Sequence, residues 1–255
     1  MAASDDLLPP APLNPTGFWE SASLNDVNDE ILRRFGGDSG SPPLLPPGWE
    51  FDRRLDDLRD RAERCFLGTF TTTQWIWKDP RNCLTFPFWQ LVTGVRAIVL
   101  IVYRNPLEVA ASLLAHHGVK KSAALRVWER YVLDSLTHAR GLPAYALCYV
   151  DLISAPAAVA ADLHQFLSRL DLRLSQLDAV SNRISCFVSS ALRHYHADAE
   201  DIARDPDVTK SQRRLFTWLE GIGGAHPWLP APREAGRAPG RTSAGREAQG
   251  TTQAC

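Results

Sequence analysis

A chain of 255 residues with 45% apolar and 22% charged residues is long enough to bury one large core and has the make-up of an ordinary globular domain. Its 28 basic and 29 acidic residues leave a net charge of −1, so no overall field draws it to nucleic acid or an anionic membrane. Any anion-binding surface has to be local.

The five cysteines, Cys65, Cys83, Cys148, Cys186 and Cys255, form no C-x-x-C pair, and none stands at metal-ligand spacing from a histidine. That pattern points to a reducing compartment, thiols of structural use and no metal site. The first residues, MAASDDLLPP, carry no basic flank and no apolar stretch of signal length. The longest apolar run, residues 97–103, is far short of a membrane span, so a cytoplasmic protein is expected.

In chain order, residues 24–34 have helical patterning, and residues 36–47, rich in Gly, Ser and Pro, read as a loop. Residues 55–66 form a second helical candidate. QWIWK, residues 74–78, reads as a short strand closed by Asp79-Pro80. AIVLIVY, residues 97–103, is continuously apolar and β-branched, as a parallel strand covered on both faces would be. Ser122 is positioned to cap a helix that keeps Leu125, Trp128, Val132, Leu136 and Ala139 on one face, closed by Gly141 and Pro143. AYALCYVDL, residues 144–152, is another buried-strand run, and residues 156–167 open a helix on Pro156. Residues 231–255 lack periodicity and are expected to be a disordered tail after a domain spanning 1–230. The alternation of strand and helix predicts an α/β layer with a parallel sheet flanked by helices. No G-x-x-x-x-G-K-[ST] phosphate loop occurs anywhere.

The most informative junction is YRNPLEVAAS, from Tyr103 to Ser112. Asn105 is expected to cap a helix, Pro106 to take its first position, and Glu108 to complete a capping box. Arg104 then stands at the carboxyl end of a strand beside a helix N-terminus, the edge where ligands bind in open α/β sheets. Ser112 lies close to two helical turns beyond Asn105, on the same face. A guanidinium and a hydroxyl converging there suit a phosphate, although a pairing of Arg104 with a nearby carboxylate is an equally open reading.

R-N-P-L-E-V-A-A-S resembles the 3′-phosphate-binding segment of sulfotransferases that use 3′-phosphoadenosine 5′-phosphosulfate (PAPS), with an Arg and a Ser eight residues later. N-P-T-G-F-W-E (residues 14–20), W-K-D-P-R (77–81), L-T-F-P-F-W (84–89), the segment 125–131 around Trp128 and Y-V-D-L (149–152) resemble the bacterial branch of that family, in the same order. The resemblance implies a P-loop-NTPase-like fold and transfer of a sulfuryl group from PAPS to a hydroxyl or amine, without a metal. It assigns donor binding to Arg104, Ser112 and, beside the adenine, Tyr149. It assigns a catalytic cation to Lys78 and a general base to Glu20, with Asp79 second. The acceptor is expected to be a small molecule or a carbohydrate, with no nucleic-acid or membrane partner.

The family also has a first strand and a Gly/Ser/Thr loop that holds the 5′-phosphosulfate. The sequence begins where that loop would already have been passed, so an N-terminally truncated fold lacking first strand and phosphate loop is expected. A non-catalytic remnant that binds nucleotide or a partner protein is the alternative. A P-loop kinase or NTPase is disfavoured by the lack of a Walker sequence and of an acidic Mg²⁺ site after a strand.

Overall fold

The computed structural model describes residues 6–11, 14–170, 172–175, 177, 184, 187–190, 193–227 and 229. The expected tail at 231–255, and Cys186 and Cys255, lie outside these residues. The apolar run at 97–103 becomes strand β1, Val99–Tyr103, and the run at 144–152 begins as β2, Ala144–Cys148. They pair in parallel, with Val99 opposite Ala144 and Tyr103 opposite Cys148. Helices α4 (Pro106–His117) and α5 (Lys121–His138) make the crossover between them.

Two expectations about strands are corrected. Strand β3, Gly224–His226, runs antiparallel to β2, so the sheet is a mixed one of order β1-β2-β3 rather than purely parallel. Residues 74–78 are extended but join no ladder among the described residues. Their side chains alternate as in a strand, yet Trp75 and Trp77 pack on Phe66 and Trp89 from helices and on Phe70 just past a helix end, with Trp77 and Trp89 ring centroids 4.7 Å apart. Aromatic packing satisfies the segment without a backbone partner.

One face of the sheet presents Ile101, Tyr103, Ala144 and Ala146 to a core filled by Leu125, Trp128 and Leu136 of α5 and by Leu215, Phe216 and Leu219 of a late helix. The opposite face presents Tyr145 and Leu147 to α7 (Pro156–Ser168) through Leu163 and Phe166. Between β2 and α7 the chain turns through α6, Tyr149–Ser154. Two late helices follow, α8 (Ala199–Arg204) and α9 (Lys210–Gly221), each opened by a reciprocal capping box, Asp198 with Asp201 and Thr209 with Gln212.

A second core lies among α1 (Ala22–Arg34), α2 (Asp56–Thr69) and α3 (Asn82–Thr93), built from Leu24, Val27, Ile31, Leu58, Ala62, Phe66 and Phe88. Pro87 sits inside α3, where it can donate no hydrogen bond to the carbonyl of Cys83 four residues earlier. His138 of α5 fills that place: its Nδ1 lies 2.9 Å from the Cys83 oxygen and must be the donor, since a carbonyl only accepts. Burial pushes the Cys83 thiol up to about 12, so it stays protonated. No helix among the described residues is long and apolar enough to cross a membrane.

Candidate functional site

Parallel strands that end in register deliver their next residues side by side. Tyr103 and Cys148 are partners, so Arg104 and Tyr149 step off the sheet together, and the Arg104 guanidinium lies 4.5 Å from the centre of the Tyr149 ring. Tyr149 is therefore the first residue of α6 and not part of a strand, a correction to its expected place at a strand end. Asn105 caps α4 as the sequence predicts, its Oδ1 accepting from the Leu107 N–H at 2.9 Å. Its Nδ2 donates to the carbonyl of Ala197 at 2.9 Å, which fastens the 193–198 segment over the turn.

The predicted capping box does not close. Glu108, whose side chain is fully buried, turns instead to cations. It accepts from Arg104 Nε at 2.7 Å, from the Ala197 N–H at 3.1 Å, and from Arg193 through a short contact to Nη2 and a longer one from Nε at 3.4 Å. A charged carboxylate gains more from two guanidinium groups than from one backbone amide. Burial pushes its pKa up, but the bonds from Arg193, Arg104 and Ala197 outweigh this, and the net shift is downward. Two guanidinium charges against one carboxylate leave the cluster with a positive excess.

One donor in the cluster lacks a partner. Arg104 Nη2 is buried and finds no hydrogen-bond partner among the described residues. Such orphans are uncommon, because an unmet buried donor costs about 1–3 kcal/mol, more when charged. Ser112 is half-buried, one turn beyond Glu108 on the same face of α4, and makes no hydrogen bond to Arg104. Glu108 stands between them and holds the guanidinium.

Lys78 and Glu20, 58 residues apart, meet in a second network. Lys78 is half-exposed, Glu20 is buried, and the ammonium donates both to the Glu20 carboxylate and to the carbonyl of Phe18 at 3.1 Å. Held at both ends, the turn places Trp19 at its apex with φ of 59°, a left-handed conformation that non-glycine residues seldom adopt. Glu20 also accepts from Asn25 Nδ2 at 3.0 Å and faces Arg81 at 3.7 Å. Asp79 is buried beside it, accepting from Asn28 at 2.7 Å and from Arg81 Nη1 at 3.1 Å. Burial raises the Asp79 pKa more than these partners lower it. Lys78 therefore ends an extended segment outside the sheet and not the strand expected over residues 74–78.

Among the described residues no hydrogen bond, ion pair or ring contact links the Lys78–Glu20 network with the Arg104 cluster. Two clefts, of about 400 and 290 Å³, are lined by Phe51, Arg59 and Leu91 and by Trp49, Pro87, Arg130 and His138, and neither includes a residue of the two networks. No group of three or more His, Cys, Asp and Glu suited to a metal occurs among the described residues. Sequence reasoning missed Arg193, which lies in R-H-Y-H-A-D and carries no motif or periodicity, and Asn28, a buried hub that also accepts from Thr85 and Trp89 at 2.7 Å each. Asn28 falls on the buried face of α1, where patterning alone registers a polar interruption. Comparison with known proteins finds no matching family model, curated protein or solved structure.

Proposed function

We propose that the chain binds a 3′-phosphorylated adenine nucleotide at the Arg104 turn and belongs functionally with the PAPS-dependent sulfotransferases. The observation that carries this reading is the orphaned Arg104 Nη2, a buried cationic donor at the carboxyl end of a strand, between an aromatic ring and a helix N-terminus. A phosphate oxygen supplies the acceptor it lacks, and Ser112 offers a further hydroxyl along α4. Tyr149, half-buried, engages Arg104 with one face of its ring, and in this reading the purine stacks on the other. In the transfer itself, moving a sulfuryl group from PAPS to a hydroxyl or amine, Lys78 is the cation for the leaving oxygen, and Glu20, or else Asp79, whose pKa burial raises, is the base. No metal is required.

Nucleotide binding without turnover is the second reading. The lack of a described contact between the Lys78–Glu20 network and the Arg104 cluster favours it. Titration calorimetry with adenosine 3′,5′-bisphosphate tests what both readings share. Arg104→Ala should weaken binding by about 1.5–3 kcal/mol, the range for a hydrogen bond to a charged group. Equal affinity in the two proteins removes the nucleotide from this site. Incubation with labelled PAPS and a panel of phenols, sugars and amines then separates transfer from binding alone.

A further inference from the structure

We infer that Arg193 is a second phosphate-binding cation of this site, held ready beside Arg104 by Glu108. The inference rests on the nucleotide reading above and adds to it a residue and a mode of preorganisation. Arg193 reaches Glu108 from a segment 85 residues further along the chain, and its side chain is only 17% exposed. Ordering a long side chain at that depth costs conformational entropy that the Glu108 pair offsets, yet a single carboxylate does not neutralise two guanidinium groups. Glu108 engages Nε and Nη2 of Arg193 but only Nε of Arg104, so each arginine keeps donors free of the carboxylate. The shared anchor brings both guanidinium groups to one carboxylate. A dianionic phosphate monoester can accept from both, whereas a carboxylate ligand would add less charge to a site already holding one. Asn105 and the Ala197 N–H fasten the same segment, so Arg193 arrives on a fixed backbone. Binding here requires little rearrangement, which favours affinity.

Phosphorus NMR with adenosine 3′,5′-bisphosphate reads the two phosphates separately. The unmodified chain should shift the 3′-phosphorus resonance. Arg193→Gln keeps an N–H for Glu108 but removes the charge, and it should lower affinity about ten- to hundredfold with loss of that 3′ shift. Arg193→Lys should recover part of both. Thermal unfolding midpoints of Arg193→Gln close to those of the unmodified protein establish that the fold survives; a large fall would itself assign Arg193 to structure and overturn the inference. If Arg193→Gln titrates as the unmodified protein does while Arg104→Ala is weakened, the nucleotide reading stands and the inference about Arg193 is wrong. If the 3′ resonance never moves, the nucleotide reading fails first.

Discussion

Glu108 shows how one side chain can be misread from local pattern and still be the pivot of a site. Three residues after an Asn cap, a Glu is expected to bond the cap's own amide. In the structure the stronger partners win, because Arg104 lies one turn before it and Arg193 arrives from the far end of the chain. Replacing Glu108 with Ala would leave two guanidinium groups facing each other in a buried place, and we expect a loss of about 3–5 kcal/mol in urea unfolding. The pH dependence follows from its lowered pKa. Its contribution is fully present above the unfolded-state value of 4.5 and is lost as pH falls through the lower folded value. Glu108→Gln should therefore flatten the acid limb of the stability curve below pH 4.5 relative to the unmodified protein. An unchanged limb would mean that Glu108 is not the group titrating there.

At the scale of elements, the helices and strands with a clear period were legible, and the exceptions have physical reasons. The periodic apolar positions of α1, α2, α5 and α7, and the β-branched run of β1, are local signals that packing only amplifies. Residues 74–78 misled because alternating Trp side chains satisfy a strand template while their real partners are rings on α2 and α3 and at the end of α2. Strand β3, with sequence Gly-Ala-His, has no β propensity of its own and exists through its pairing with β2. Of the residues in the two networks, Arg104, Tyr149, Lys78 and Glu20 stand in segments that the sequence singles out, but the pairing of the last two does not show there, since tertiary contact leaves no trace in spacing. Helix α3 is the clearest case of tertiary rescue. Pro87 should weaken it, and His138 donates to the Cys83 carbonyl that the proline leaves unmet. His138→Ala should cost about 1–3 kcal/mol of stability, as an unsatisfied carbonyl does. Burial lowers the His138 pKa, so the unfolded chain takes up the proton first, and stability should fall as pH drops from 6.5 toward the folded value. Circular-dichroism melts across that range should show a weaker pH slope in His138→Ala; an equal slope would assign the titration to another group.

At the scale of the whole molecule, the sheet is unevenly protected. Within a strand the N–H and C=O of one residue point the same way, and the Val99 N–H bonds the Pro143 carbonyl at 2.9 Å on the β2 side. The main-chain groups of Leu100 and Val102 therefore point to the opposite edge, where no described residue pairs with them. On the face shared with Tyr145 and Leu147, helix α7 covers β2, while Leu100 and Val102 of β1 are 42% and 55% exposed. The apolar continuity that reads as a strand covered on both faces is thus met by cover on one. An open edge bearing exposed aliphatic side chains is a template for strand addition, and natural proteins commonly guard such edges with lysine. We therefore expect concentration-dependent self-association of the chain, measurable by sedimentation velocity. Leu100→Lys combined with Val102→Lys should suppress it, because each charge must be desolvated when another strand approaches. Both positions are solvent-exposed, so the thermal midpoint should change little, within what surface substitutions usually produce. Self-association that survives both lysines would place the sticky surface elsewhere, and a collapse of the midpoint would show that these side chains contribute to the fold and are no free edge.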